Sequence, residues 1–417
     1  MLSHSNMKIL LFTVFVILYY VSPGISNNDL KTINNTSEKF LEQNIMIGSE
    51  TGRKSITIGV LYEIRNDIDK SALIGFRTAL FQSKLIDNLS IQFNSFSVHF
   101  CLYNVSRYSK KLLFQNILND KCQSLIFLTH TKNCDQLIDF SQQKKIPLIF
   151  ANFIEKNDAG AGEYIFRICM NALKHAQILA QFVHMNYSGK SVIILEQDEH
   201  WNFSGMLKEE LLKYDIPAQS IFADELQTSF TELSSNILII PEYDHNFLPA
   251  LNQLSACSVI FCDIHALNYQ KQYKEFLESN FVSKKNYNNI CFMTYWDKEL
   301  REKSDQNFID LYFSYTDLYK AVKKYQISND AALAYDATKI LLTILNSTNE
   351  NVTPLIIKDR FINLKKYNAC QGVTGNIDFD FYGERNYTQM TFVRVTTQEM
   401  IPKRFEYTKM KNVELDI

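Results

Sequence analysis

Short apolar runs recur along this chain with helical stretches between them, and no other feature restricts its fold as tightly. The runs are S-I-T-I-G-V-L-Y-E (55–63), I-Q-F-N-S-F-S-V-H-F (91–100), S-L-I-F-L-T (124–129) and I-P-L-I-F-A (146–151). They continue with S-V-I-I-L-E (191–196), N-I-L-I-I-P (236–241), S-V-I-F-C-D (258–263) and I-C-F-M-T-Y (290–295). Most are continuous rather than alternating. A strand covered on both faces has that pattern, which means a parallel sheet between two helix layers. The intervening stretches 71–85, 110–119, 134–143, 172–185 and 203–213 carry apolar residues at helical spacing. Alternating strands and helices of this kind predict a doubly wound α/β architecture.

The pattern changes after about residue 305. Three helical stretches follow in succession, over 308–325, 330–346 and 354–364. Asp330 is placed to cap the second of them. The chain then reads G-V-T-G-N-I-D-F-D-F-Y-G-E-R from 372 to 385. It has only 12 glycines in 417 residues, so three of them here, Gly372, Gly375 and Gly383, mark a strand ribbon with tight turns and close backbone contacts. A length of 417 residues exceeds one ordinary core and predicts two domains.

Residues 1–26 read as a secretory signal peptide: Lys8, an apolar run over 9–21, then Pro23, Gly24 and Ser26 before Asn27. The run is shorter than the roughly 20 residues of a spanning helix, which disfavours an uncleaved anchor. Residues 27–54 are polar and predict a loose leader. The expected location is periplasmic or secreted. The net charge of −2, with scattered lysine pairs, gives no basis for nucleic-acid binding.

The order of elements and four of these motifs resemble the type I periplasmic-binding family, which includes leucine/isoleucine/valine-binding proteins and receptor ligand-binding regions. The opening strand I-T-I-G-V-L and the crossover Y-I-F-R-I-C-M-N-A-L-K-H-A-Q carry the resemblance. So do the helix A-A-L-A-Y-D-A-T-K-I-L and the segment G-V-T-G-N-I-D-F-D-F-Y-G-E-R. It implies two doubly wound Rossmann-like lobes joined by a three-stranded hinge. Lobe 1 would comprise 55–170 plus 298–364, and lobe 2 would comprise 171–297 plus 365–417. It implies a small-molecule ligand held between the lobes, and a membrane permease or receptor as partner. Mapped onto this chain, the binding positions are Thr129, Thr131, Asn152 and Phe153 in lobe 1, with Tyr243 and Asp263 in lobe 2. Asn152 and Phe153 depart from the small and hydroxyl residues usual there, and Lys132 adds a charge beside Thr131. Relatives often bridge the regions of Cys101 and Cys134, so that disulfide is an expectation, with Cys122 as the rival partner.

No catalytic or metal-binding constellation is present in the sequence. No enzyme activity, cofactor or metal is expected. The eight cysteines lack zinc-ligand spacing. The clusters Asp198–Trp201 and Glu242–His245 fit polar loops at strand ends better than metal sites. Two rivals to the solute-binding reading stand: a receptor-like ectodomain acting through a protein partner, and a degenerate member that binds nothing. A monomer or weak dimer is expected; the receptor-like rival would pair through lobe 1 helices, with the aromatic-rich helix 308–325 as its candidate surface, whereas core and boundary packing is the plainer reading of those aromatics.

Overall fold

A computed structural model describes residues 43–47, 54–65, 67–86, 96–129, 134–152, 162–196, 203–222, 236–241, 258–262, 290–298, 300, 302–318, 327–348, 351–367, 371–386, 389–395 and 400–406. The expected signal peptide, 1–26, lies outside the described residues. Among those described, no helix is long and apolar enough to cross a membrane.

The continuous apolar runs form two sheets. The first contains β1 (Ile45–Ile47), β2 (Lys54–Tyr62), β3 (Phe96–Asn104), β4 (Cys122–Phe127), β5 (Leu148–Phe150) and β6 (Ile165–Arg167), in the order β1-β3-β2-β4-β5-β6. β2 to β6 pair in parallel. The chain moves from β2 to β3 on one side and returns to β4 on the other, so a crevice opens at the carboxyl ends of β2 and β4. Ligands bind open α/β sheets at such reversals of strand order.

The second sheet contains β7 (Val192–Glu196), β8 (Ala218–Phe222), β9 (Ile237–Ile240), β10 (Ser258–Phe261) and β11 (Ile290–Thr294) in parallel. β14 (Gln389–Val395) and β15 (Met400–Glu406) extend it antiparallel beyond β11. Its order is β15-β14-β11-β10-β9-β7-β8, with the same reversal between β7 and β9.

Eight helices are described: α1 (Asp67–Ile86), α2 (Lys110–Asn119), α3 (Asp135–Lys144), α4 (Ala172–Asn186), α5 (Phe203–Leu212), α6 (Lys303–Leu318), α7 (Asn329–Asn346) and α8 (Pro354–Ile362). The three that follow β11 return to the first sheet. α6 meets α1, where Phe81 packs edge-on to Tyr315. α8 sets Phe361 against Phe166 of β6. α7 lies so close to α1 that a side chain on Gly75 would meet the Ala331 carbonyl at 2.1 Å. Only glycine permits that approach. α4 packs on the second sheet, with Phe182 stacked on Phe392 of β14 at 3.6 Å.

The structure corrects three expectations. The leader is partly ordered, because Ile45–Ile47 pairs antiparallel with β3 and Arg77 donates to the Gln43 carbonyl at 2.7 Å. Ser328, not Asp330, caps α7, accepting from the Ala331 N–H at 3.2 Å. Asp330 sits in the first turn, where a carboxylate favours the helix dipole. Phe308, Tyr312 and Tyr315 are buried against the core and give no dimer surface; Phe313 is exposed, and residues 319 and 325 lie outside the described set.

Candidate functional site

Thr129 and Asn152 follow β4 and β5 by two residues, at the carboxyl edge of the first sheet. They are 0% and 1% exposed. The Asn152 amide donates to the Thr129 carbonyl, and the Cys169 thiol donates to the Asn152 carbonyl. Asn152 thus laces three strand ends together, which accounts for an amide where a small residue was expected. The Thr129 hydroxyl and the Asn152 Oδ1 have no hydrogen-bond partner. Buried polar groups are almost always paired, and an orphan costs about 1–3 kcal/mol. The two orphans stand on adjacent strand ends, Thr129 at the reversal of strand order and Asn152 one strand beyond it.

Of the other expected positions, Thr131, Phe153, Tyr243 and Asp263 lie outside the described residues. So do the clusters 198–201 and 242–245. Among the described residues, no group of three His, Cys, Asp or Glu could hold a metal ion.

The expected Cys101–Cys134 bridge is not formed, since both are free buried thiols, as is Cys122. Register explains this. Cys101 lies opposite Gly59 within the sheet, whereas Cys134 caps α3 beyond the carboxyl edge. Cys101 and Cys122 flank β2 on either side. Two strand spacings separate them by about 10 Å, more than the roughly 7 Å a disulfide spans. Burial pushes the Cys122 thiol up to about 12.

The passages between the sheets hold the polar residues that sequence reasoning missed. The chain passes between β6 and α4, between β11 and α6, and between β13 (Gly375–Asn376) and β14. Arg385 is fully buried in the third passage. Its guanidinium donates to the Ile168 carbonyl at 3.0 Å, the Thr374 carbonyl at 2.8 Å and the Asn376 carbonyl at 2.7 Å. It therefore fastens the third passage to the first. The buried Asp336 of α7 accepts from the N–H groups of Val373 and Thr374 at 2.8 Å and from the Thr374 hydroxyl at 2.7 Å. Gly372 makes room for it, since a Cβ there would lie 2.4 Å from the carboxylate. Burial pushes the Asp336 carboxyl up, and these hydrogen bonds oppose the shift.

Tyr295 opens the second passage, directly after β11. Its hydroxyl accepts from the Met170 N–H at 2.7 Å and meets His175 Nε2 at 2.7 Å. Burial lowers the His175 pKa to about 3. The unfolded imidazole titrates near 6.5, so between pH 6.5 and 3 the unfolded chain binds the extra proton. Stability from this group is complete above pH 6.5 and falls by up to about 1.4 kcal/mol per unit as pH drops through that window. Urea unfolding from pH 7 to 4 is expected to show this slope, and His175→Gln to flatten it.

The sequence matches no family model and no characterised relative. The fold does have solved counterparts, and they define a class of architecture, the type I periplasmic-binding fold. The LivJ branched-chain amino acid substrate-binding protein of Streptococcus pneumoniae, in complex with isoleucine, superposes with a TM-score of 0.59 at 14% identity. The match covers 85% of this chain and 100% of that one. An ABC-transporter substrate-binding protein from Desulfitobacterium hafniense, in complex with leucine, gives 0.63 at 12% identity over 84% and 100%. A solute-binding protein from Rhodopseudomonas palustris, in complex with p-hydroxybenzoic acid, gives 0.62 at 12% over 85% and 96%.

Proposed function

We propose that this protein is an extracytoplasmic solute-binding protein that traps a small polar ligand between two lobes, without enzymatic activity. The lobes are 55–170 with 298–364, and 171–297 with 365–417. The observation that carries the reading is the pair of buried, unpartnered atoms Thr129 Oγ1 and Asn152 Oδ1 beside the reversal of strand order. A hydroxyl can donate, whereas an amide oxygen only accepts. A ligand satisfying both offers an acceptor and an N–H or O–H donor close together, as an amino acid or amide does. The isoleucine and leucine named with two of the structural counterparts have that chemistry. Thr131, Phe153, Tyr243 and Asp263 complete the proposed site, and closure about the hinge would hold the ligand. Delivery to a membrane permease is the role this reading favours over sensing.

Native mass spectrometry of the protein as purified tests the reading. A co-purifying small molecule, released on denaturation, is the expected result. Thr129→Val should bind it at least about tenfold more weakly, since the lost bond is worth about 1.5 kcal/mol. The same variant should unfold no earlier than the parent, because in the free protein that hydroxyl is bonded to nothing. A variant that retains full affinity would remove Thr129 from the site.

A further inference from the structure

Glu384 holds a position no strand or helix needs. Its Oε1 accepts from Arg167 Nη1 at 2.7 Å, and its Oε2 accepts from Asn171 Nδ2 at 3.2 Å. Arg167 ends β6 of the first sheet; Asn171 caps α4, which packs on the second. One carboxylate, carried on the third passage, thus spans the first passage from sheet to helix. Its backbone is fixed on both sides. The Arg167 N–H donates to the Gly383 carbonyl at 2.9 Å, and the Lys174 ammonium donates to the Arg385 carbonyl.

Arg167 is only half used. It is 2% exposed, yet Nε and Nη2 have no hydrogen-bond partner. A guanidinium seats a carboxylate best in two-pronged fashion, with parallel N–H···O bonds. Here Glu384 forgoes the second prong and gives its other oxygen to Asn171. The pair is split between Arg167 and Asn171, and the unpartnered Nε and Nη2 leave room for a second arrangement with both oxygens on Arg167 and Asn171 released. A contact that can exchange between two arrangements, one bridging β6 to α4 and one not, suits a hinge position.

We propose that Glu384 is a positioning residue for ligand capture, a latch that ties β6 to the start of α4 while its carboxylate is split and loosens that tie when both oxygens seat on Arg167. The proposal rests on the ligand-trapping reading for its purpose, but its geometry can be tested without ligand.

Asn171→Asp is the sharpest variant. It keeps the cap, in which Oδ1 accepts from the Lys174 N–H at 2.9 Å, removes the donor to Glu384 and sets two carboxylates against each other. Glu384→Gln is the second variant, and Lys213→Ala, which removes the exposed partner of Glu210 just past α5, is the control. The probe is the distance between nitroxides attached through a keto-bearing amino acid at positions 185 and 355. Both positions are exposed, on α4 and α8, and this chemistry leaves native thiols unlabelled. Electron–electron double resonance on the ligand-free chain should give one population for the parent and the control. Asn171→Asp and Glu384→Gln should each add a displaced population. Parent-like distances in both variants, in samples that still unfold cooperatively, would overturn the latch and leave Glu384 a merely structural ion pair. Adding leucine to the labelled parent reads the ligand-trapping proposal separately, since its failure to move the parent says nothing against the variants.

Discussion

Arg385→Met is expected to lower the unfolding free energy by about 3–5 kcal/mol, a loss that marks a core charge whose partners are stranded. The arginine is 0% exposed, and its guanidinium satisfies the carbonyls of Ile168, Thr374 and Asn376. Methionine fills much of the volume but donates nothing. The Ile168 and Thr374 carbonyls would be left in a dry interior, each at a cost of about 1–3 kcal/mol before relaxation. Because Ile168 belongs to the first passage and Thr374 and Asn376 to the third, the variant should also loosen one against the other. Urea denaturation checks the first effect, with a lower midpoint at an unchanged slope. Hydrogen exchange in 371–386 checks the second. Arg385→Lys is expected to recover little, since an ammonium cannot reproduce the planar fork.

The second large effect is expected from Gly383→Ala. Its φ of +75° is a conformation that costs an L-residue about 1–2 kcal/mol. More serious is a methyl group placed 1.6 Å from the Ile165 carbonyl oxygen. That contact cannot be held, so the turn must leave β6 and carry Glu384 away from Arg167. A total loss of about 3 kcal/mol is expected, read as a fall in the thermal midpoint. Gly189→Ala is the matched control. Gly189 has φ of +78° with nothing within 4 Å of the added carbon, so it should show the conformational cost alone.

Much of the architecture was legible in the apolar runs. Their lengths and continuity marked strands covered on both faces; β5, β7, β9, β10 and β11 fall inside them, and β4 begins two residues ahead of its run. Periodicity found α2 at 110–119 with both ends correct. It missed the Ser328 cap, because Ser328 and Asp330 both suit a helix start and only the backbone chooses between them. The leader strand was invisible, since three residues of edge pairing leave no pattern.

The site was legible only in part, for a different reason. Thr129 and Asn152, mapped from the family resemblance, do stand at strand ends, where the sheet edge places its loops. The hinge polar residues could not be found, because each looks ordinary in sequence. Arg167 sits inside the apolar run I-F-R-I-C, and Asp336 inside A-Y-D-A. A charge within a buried strand or helix must be paired, and that was the available signal. It does not say with what. Their partners lie 217 residues away at Glu384 and 38 residues away at Thr374, and only the fold brings them together. The glycines in 372–383 answer to the same contacts: Gly372 admits Asp336, and Gly383 admits the Ile165 carbonyl.

The central claim is that a small polar ligand binds where Thr129 and Asn152 stand unpaired. Thermal unfolding of the purified protein against amino acids, amides, purines and sugars tests it most directly. Ligand at 100 times its Kd should add about 2.7 kcal/mol, a shift of about 2–4 °C or more for a chain of this size. Such a shift is expected with amino acids or amides, and its loss in Thr129→Val. A well-folded protein whose midpoint moves with none of them would contradict it.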